Sequence, residues 1–451
     1  MRAGELGHRV GLVGWGVSHR ALARHLARLG RALSVYDQRP LGALDGAARD
    51  ELSQLGARYF GGPDYLAHVR DQDTIFLTPG LVQPATEVAA WRAGGAQIRG
   101  EAEYALAQIK GPVLAITGSS GKSTTTSLTA HLLSAGGVPA VAAGNIGRPL
   151  IELVEQGDTR TVVAELSSFQ LELFTGRVAL GAILNLRPNH LDHHQSLDAY
   201  REAKLNLIRR QRPDDRALLP AAEAELWRAT QAFAGQKVAI GDPGAAEGAF
   251  FDQGRFVVKS AGESQSVARA TDWHLPGAHN RQNALFALYL AVAGGAKPAA
   301  LAQALSSFEA LPHRLEEVAV VGGVRFVNDS IATTPDRTAA ALAAIEEPVW
   351  LIAGGYDKHL DFAPLKAAPP PVGAFCYGAT GAQVAAVLRE AGVESEVGDT
   401  LAWAFARAAA AARPGQTVLL SPASASYDQF RDFEERGQAF RGLVKHYAQT
   451  H

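Results

Sequence analysis

The stretch 113–126 constrains the fold of this chain more than any other segment. A run of β-forming residues leads into a turn bounded by Gly118 and Gly121, and Lys122 then opens a helical stretch. N–H groups at the start of a helix and the helix dipole both favour a bound anion. The pattern predicts a phosphate-binding loop in which Lys122 contacts the β- and γ-phosphates and Ser123 or Thr124 offers a hydroxyl to Mg²⁺. The alternative is an ordinary strand–turn–helix junction, because Gly, Ser and Thr are common there.

The composition limits the class of protein. The chain has 451 residues, a net charge of -2 and 47% hydrophobic residues, which is typical of a globular protein of two to four domains. The weak charge argues against binding to nucleic acid or to an anionic membrane. Cys376 is the only cysteine, so an internal disulfide and a multi-cysteine metal site are excluded. No apolar run has the length of a membrane span and residues 10–17 are too short for a signal peptide, so we expect a cytoplasmic protein.

The first 100 residues follow the pattern of a nucleotide-binding βαβ unit. A strand leads into Gly14-x-Gly16, a helical pattern follows, and a second strand ends at Asp37. His19 stands where a dinucleotide fingerprint has its third glycine, which argues against a pyrophosphate lying on this helix. A tight turn without a ligand explains the two glycines equally well. Thr78 follows the next strand and is expected at the carboxyl edge of the sheet, where ligands bind.

The middle of the chain alternates strands and helices, which predicts a parallel sheet. The strand at 161–165 ends at Glu165, and a strand over 181–186 leads to His190. The predicted sheet places Lys122, Glu165 and His190 along one edge, where the last two would be ligands for Mg²⁺. A lone histidine is more often structural, and the sequence alone leaves Lys204, on the next helix, as a solvated lysine.

The last third predicts another α/β sheet, with strands near 324–327, 349–352, 374–377 and 417–420. Asp329 follows the first of these strands and would either accept hydrogen bonds from a ribose or cap the next helix. Lys358 lies on a glycine turn and suits a carboxylate. Residues 421–426 would offer hydroxyls to the same ligand or begin a helix. The residues thus indicate an ATP- and Mg²⁺-dependent enzyme of three α/β domains.

A series of blocks in the same order resembles the Mur ligases over about residues 10–440. Besides the phosphate loop, the blocks are Gly144–Gly147, Glu165–Gln170, Gly277–Asn283, His313-Arg314, Asn328–Ser330 and 421–430 with Phe433 and Glu434. The last block is most similar to the branch that adds D-glutamate to UDP-N-acetylmuramoyl-L-alanine. The resemblance implies an amino-terminal Rossmann-like domain at 1–105, a central ATPase domain with a parallel sheet at 106–312, and a carboxy-terminal Rossmann-like domain at 313–451.

The resemblance also implies an activity in peptidoglycan precursor synthesis and a role for each matched residue. ATP would phosphorylate the carboxylate of the UDP-sugar substrate, and the amine of glutamate would attack the acyl phosphate. The catalytic group would be Lys122, Lys204 and His313. ATP would contact Gly118, Ser119, Ser120, Gly121, Lys122, Ser123, Thr124, Asn280, Asn283, Arg314 and Asp329. Mg²⁺ would be held by Ser123, Glu165, His190 and a carbamylated Lys204. The UDP-sugar would contact Val17, Ser18, Asp37, Arg39, Thr78 and Asn145. Glutamate would contact Thr333, Lys358, Ser426, Tyr427 and Phe433. We expect a monomer without nucleic-acid partners or membrane insertion.

Several positions depart from the family pattern. Ile331 stands where many relatives have a lysine near the reacting groups, Asn189 and His193 replace common Asp and Arg residues, and Tyr356 alters the loop before Lys358. Two other functions therefore stay open. One is a sister ligase that uses L-glutamate, performs another Mur step or extends folates, and the other is a catalytically silent sensor of nucleotides or UDP-muramoyl intermediates.

Overall fold

A computed structural model describes residues 6–79, 81, 85–187, 194, 196–260, 262–275, 277–309, 312–358 and 360–450. The chain forms two compact units, Met1–Trp273 with Gln282–Ser307, and His274–Arg281 with Phe308–His451. The first unit contains two sheets and the second contains one. The α/β class predicted from the sequence is confirmed.

The first sheet has five parallel strands in the order β3-β2-β1-β4-β5. The strands are β1 (Arg9–Val13), β2 (Ala32–Asp37), β3 (Arg58–Gly61), β4 (Thr74–Leu77) and β5 (Gln97–Gly100). The helices are α1 (Val17–Arg28), α2 (Gly46–Gln54), α3 (Ala85–Ala93) and α4 (Glu101–Gln108). The order reverses between β1 and β4, and a crevice for ligands forms at such a point outside the carboxyl ends of the strands.

His19, at the position where a dinucleotide fingerprint has its third glycine, packs against the glycine turn after β1. Gly14 has φ 95°, and a Cβ atom on it would lie 2.5 Å from Thr78 Cγ2, so only glycine fits there. The fully buried His19 ring lies under this turn, with Nδ1 2.9 Å from the Gly14 carbonyl oxygen. Burial lowers the pKa of His19 to about 4, so the imidazole is neutral at pH 7. The neutral ring thus packs against the buried side of the turn.

The second sheet has nine strands in the order β14-β13-β12-β11-β10-β9-β6-β8-β7. The strands are β6 (Val113–Thr117), β7 (Ala140–Gly144), β8 (Thr161–Glu165), β9 (Leu180–Ile183), β10 (Arg216–Pro220), β11 (Gln236–Ile240), β12 (Gly248–Asp252), β13 (Arg255–Ser260) and β14 (Glu263–Arg269). Strands β6 to β12 are parallel, as predicted. Strands β13 and β14 extend the sheet with antiparallel pairs that the sequence analysis missed. β6 lies between β8 and β9, so the carboxyl ends of all three strands meet.

Helices lie along the chain between and after these strands. They are α5 (Lys122–Ala135), α6 (Leu150–Glu155), α7 (Ser168–Glu172), α8 (Leu197–Arg209), α9 (Ala224–Ala229), α10 (Ala278–Ala293) and α11 (Leu301–Ser306). Apolar side chains from the strands and from helices such as α8 pack into a shared buried core. None of the helices in the described part of the chain is long and apolar enough to cross a membrane.

The third sheet has six strands in the order β15-β16-β20-β17-β18-β19, and only β15 is antiparallel to its neighbour. The strands are β15 (Glu316–Val321), β16 (Val324–Asn328), β17 (Val349–Gly354), β18 (Gly373–Tyr377), β19 (Ser395–Gly398) and β20 (Thr417–Leu420). The helices are α12 (Pro335–Leu342), α13 (Gly381–Glu390), α14 (Leu401–Ala411) and α15 (Phe433–Thr450). The four predicted strands are confirmed, and the edge strands β15 and β19 were missed. Cys376 on β18 is fully buried, and burial raises the pKa of its thiol to about 12.

We predict that His19 makes the protein less stable in acid. The folded state opposes protonation of the buried ring, so the unfolded chain binds the proton more readily between about pH 4 and pH 6.5, and stability falls as the pH falls through this range. His19→Asn should remove on the order of 2 kcal/mol from the difference in unfolding free energy between about pH 7.5 and pH 5. Urea titrations at both pH values measure this difference, and His8→Asn at an exposed position is the control. Equal pH dependence in His19→Asn and the unaltered chain would contradict the prediction.

Candidate active site

The predicted phosphate loop joins β6 to the start of α5. Gly118 and Gly121 have φ 156° and 79°, and a Cβ atom on Gly121 would lie 2.3 Å from Asn283 Oδ1. Asn185 holds the turn between them: its carbonyl oxygen accepts from Ser119 N–H at 3.1 Å and its side-chain oxygen accepts from Ser120 N–H at 2.9 Å. The turn is therefore fixed from outside while α5 begins directly at Lys122, which is the geometry that binds a phosphate. The ordinary-junction alternative does not account for this support.

Buried oxygen atoms of the kind that bind a divalent cation lie on α5 and at the end of β8. Lys122 Nζ donates to the Gly118 carbonyl oxygen at 3.0 Å. The Thr124 hydroxyl and Glu165 Oε2 are buried and have no hydrogen-bond partner among the described residues. Glu165 Oε1 accepts from Asn145 Nδ2 at 2.9 Å, which orients the carboxylate. Buried oxygens without partners fit a hard cation such as Mg²⁺, which binds through one or two carboxylates and hydroxyls.

Lys204 is buried at the phosphate loop, so its interpretation as a solvated lysine is wrong. Its side chain is 1% exposed, and Nζ donates to the Gly118 carbonyl oxygen at 3.0 Å and to Thr117 Oγ1 at 3.3 Å. The Tyr200 ring lies 4.8 Å from Nζ, and the Tyr200 hydroxyl donates to Ser119 Oγ at 2.8 Å. One turn of α8 therefore contacts the loop at two places. The helical spacing of Tyr200 and Lys204 was the available signal for a shared face.

The structure describes only part of the histidine-rich segment that follows β9. His190 and His193, like Asn189, lie outside the described residues. His194 is buried, with Nε2 2.9 Å from Ser168 Oγ and Nδ1 3.0 Å from Glu172 Oε1. These contacts give His194 a structural role between α7 and α8. In the described ranges, no three His, Cys, Asp or Glu side chains form a cluster that could hold a metal ion.

Most of the predicted UDP-sugar residues lie at the carboxyl edge of the first sheet. Asp37, at the end of β2, accepts from Trp15 N–H at 2.7 Å and from Arg39 Nε at 2.9 Å. Burial raises the pKa of Asp37, but the hydrogen bonds from Arg39 and Trp15 outweigh it and lower the pKa. Val17 and Ser18 begin α1, and Thr78 follows β4 beside Gly14.

Asn145, the remaining predicted UDP-sugar residue, does not lie at the edge of the first sheet. It follows β7 of the second sheet and binds Glu165. The structure places Asn145 where it orients a predicted metal ligand, which the sequence analysis did not foresee.

In the second unit, Asp329 directly follows β16, and His313 contacts Asn328, the last residue of that strand. The Asp329 carboxylate accepts from Leu315 N–H at 3.2 Å and from Ser421 Oγ at 2.9 Å, and burial raises its pKa to about 7. Asp329 caps no helix here, because Thr334 precedes α12, so that alternative is wrong. His313 has φ 64° and lies with Nδ1 2.9 Å from Asn328 Nδ2. Burial is the main cause that lowers the His313 pKa.

The remaining predicted ATP-binding residues divide between the two units. Asn283 lies in the first unit beside Gly121, and Asn280 and Arg314 lie in the second. Arg314 is close enough to Asp329 for its charge to favour the ionised carboxylate. Both asparagines are buried.

Four of the predicted glutamate residues lie on loops that follow strands of the third sheet, and the fifth, Phe433, begins α15. Lys358 Nζ lies 5.6 Å from the centre of the Tyr427 ring, and Tyr356 meets the same ring edge-on at 5.8 Å. Ser426 is buried one residue before Tyr427. Residues 421–426 form an extended loop and α15 begins only at Phe433, so a helix start at 421 is wrong. Thr333 lies on the separate loop that follows β16.

Arg436 is a residue that the sequence analysis missed. Its side chain is fully buried, and Nη1 donates to the carbonyl oxygens of Ser424 at 3.0 Å and Ala425 at 2.9 Å. Its Nη2 donates to the Ser330 carbonyl oxygen at 2.8 Å and Nε to the Ser330 hydroxyl at 3.0 Å. One guanidinium thus joins the loop after β16 to the loop after β20. Its spacing of four from the buried Phe440 on α15 was the signal that placed it on the inner face.

Comparisons with known proteins agree with this arrangement. The family model described as Mur ligase middle domain matches residues 116–291, and the one described as Mur ligase, glutamate ligase domain matches residues 313–424. A UDP-N-acetylmuramoylalanine–D-glutamate ligase of Symbiobacterium thermophilum is 38% identical, covering 98% of this chain and 98% of the relative. One of Myxococcus xanthus is 39% identical, covering 97% and 98%.

A solved structure supports the fold. The UDP-N-acetylmuramate–alanine ligase of Thermotoga maritima matches with a TM-score of 0.58 at 19% identity, covering 98% of this chain and 100% of that one. The phosphate loop, the buried lysine behind it and a relative of 38% identity over nearly the whole length lead to one conclusion. The chain belongs to the Mur ligase family and is an ATP-dependent ligase that forms an amide bond.

Proposed function

We propose that this ligase joins D-glutamate to UDP-N-acetylmuramoyl-L-alanine. The observation that carries the proposal is the full-length similarity to D-glutamate ligases, together with the loops described above. The UDP-muramoyl carboxylate would attack the γ-phosphorus of ATP, releasing ADP and forming an acyl phosphate. The glutamate amine would then attack the acyl carbon, lose a proton and expel inorganic phosphate. We also propose that the enzyme is a cytoplasmic monomer with domains at 1–105, 106–312 and 313–451.

The first unit would bind the nucleotide phosphates and the metal. Gly118 to Thr124 would hold the phosphates through the start of α5, and Lys122 would add positive charge beside them. Ser123, Glu165, His190 and a carbamylated Lys204 would hold Mg²⁺, which supplies charge neutralisation for phosphoryl transfer. The partnerless Glu165 oxygen supports this assignment. The UDP-sugar would contact Val17, Ser18, Asp37, Arg39, Thr78 and Asn145. Asn145 would also orient Glu165.

The second unit would bind the ribose and the amino acid. Asp329, Arg314 and Asn280 would contact ATP, and His313 would lie near the reacting groups. Lys358 would pair with the side-chain carboxylate of glutamate, and Thr333, Ser426, Tyr427 and Phe433 would complete the pocket. The Tyr427 ring beside Lys358 supports this, because it limits the positions that the ammonium group can take.

The defining experiment measures phosphate release with ATP, Mg²⁺ and UDP-N-acetylmuramoyl-L-alanine, and compares D-glutamate with L-glutamate. We expect release with D-glutamate only, with one amide product for each phosphate. Release with L-glutamate only would assign the chain to the sister branch. No release with either amino acid would favour the silent sensor.

We predict that Lys204 acts as a carbamate. Its amine would add CO₂ and lose a proton, which converts a cation into a carboxylate-like ligand beside the phosphate loop. Lys204→Ala should lower kcat by roughly a hundredfold or more, since an electrostatic contact to the transition state is lost. A short carboxylate such as acetate should restore part of the activity. Lys237→Ala, in the same unit, is the control. An active Lys204→Ala enzyme that ignores acetate would refute the role.

We predict that Arg436 holds the acceptor pocket in shape. Arg436→Leu removes one donor from three buried carbonyl oxygens, of which that of Ala425 keeps another, the Tyr356 N–H, and should cost about 3 kcal/mol or more of stability. The KM for D-glutamate should rise in any fraction that folds, because the two loops are no longer joined. Thermal unfolding and glutamate titration measure the two effects. Arg431→Leu, whose side chain is 82% exposed, should change neither, and an unaltered midpoint in Arg436→Leu would contradict the prediction.

A further inference from the structure

Arg337 on α12 reaches back to the loop Asp329–Thr333 after β16. Its Nη1 donates to the Ile331 carbonyl oxygen at 3.0 Å. The same oxygen accepts from Thr333 N–H at 2.8 Å. Arg337 and Thr333 therefore share one acceptor, so the position of the guanidinium and the position of Thr333 depend on each other.

The rest of this loop is held through its backbone. Ile331 N–H donates to the His313 carbonyl oxygen at 3.1 Å, and Ala332 N–H donates to the Asp329 carbonyl oxygen at 2.9 Å. The side chain at 331 is apolar, so it offers no charge to a ligand. The half-buried Arg337 side chain brings a positive charge to this loop instead.

The charge of Arg337 acts on the neighbouring acid. Burial raises the pKa of Asp329, while Ser421, Arg314, Leu315 and Arg337 favour its ionised form. The hydroxyl of Thr338, the next residue on α12, donates to the Ser421 carbonyl oxygen at 3.1 Å, and the Ser421 hydroxyl donates to Asp329 at 2.9 Å. The first turn of α12 is thus linked to the acidic residue at one end of the loop and to Thr333 at the other.

We propose that Arg337 is a positioning residue for the acceptor amino acid, which fixes the loop that carries Thr333 and supplies the positive charge that Ile331 lacks. The inference rests on the proposed function, because it concerns how that pocket takes an acceptor with two carboxylates. A cation next to the pocket favours a doubly anionic acceptor over a singly charged one by electrostatic complementarity.

The test uses the full-length enzyme and three variants, Arg337→Ala, Arg337→Lys and the double variant Ile331→Lys with Arg337→Ala. Arg337→Ala should raise the KM for D-glutamate by roughly tenfold, because the loop that carries Thr333 loses its side-chain anchor and a nearby positive charge, and leave the KM for ATP within about twofold. Arg337→Lys should recover part of this loss. The double variant should recover most of it, because a lysine at 331 returns the charge to the loop. Arg407→Ala, an exposed arginine paired with Glu396, is the control.

Two outcomes would overturn the inference. One is an Arg337→Ala enzyme with an unchanged KM for D-glutamate. The other is a loss shared by all substrates, with a lowered unfolding midpoint and no recovery in the double variant, which would indicate a purely structural contact. Failure of the proposed function is distinguishable, since the unaltered enzyme would then release no phosphate with D-glutamate.

Discussion

The burial of the Lys204 amine against the phosphate loop is the contact on which the central site depends. A buried ammonium group needs hydrogen-bond acceptors, and the carbonyl oxygen of Gly118 is one of them. The loop can present that oxygen because its glycines adopt conformations that other residues avoid. Lys122 Nζ donates to the same oxygen, so two lysine side chains converge on one turn. The turn, its two lysines and the start of α5 are therefore joined by direct contacts.

In the second unit, a buried arginine side chain is likewise bound by backbone carbonyl oxygens. Arg436 is fully buried, and its charge is met by carbonyl oxygens from two loops. Arg337 and Arg314 add positive charge near the buried Asp329. Three guanidinium groups thus organise loops that follow separate strands of one parallel sheet. Backbone hydrogen bonds join two of these loops, from Gly354 N–H to the Pro422 carbonyl oxygen and from Tyr356 N–H to the Ala425 carbonyl oxygen, and side chains from α12 and α15 add further contacts.

The sequence predicted those elements that are determined by residues close together in the chain. The strand–turn–helix at 113–126, the glycine turn after β1 and four strands of the third sheet follow from hydrophobic runs and glycine positions. The antiparallel pair β13 and β14 was missed because hairpin strands at the edge of a parallel sheet depend on partners chosen in the fold. The burial of Lys204, the contact of Asn145 with Glu165 and the role of Arg436 were missed for a related reason: they depend on residues that are 20 to 106 positions away in the chain.

The buried Cys376 has a practical consequence. Thiol reagents act on an exposed thiolate, and this thiol is shielded within β18 and stays protonated at neutral pH. The native chain is therefore chemically silent toward maleimides and nitroxide labels. A cysteine introduced at a chosen surface position would be the single labelled site, so fluorescence and spin-label spectroscopy can proceed on an otherwise unaltered protein.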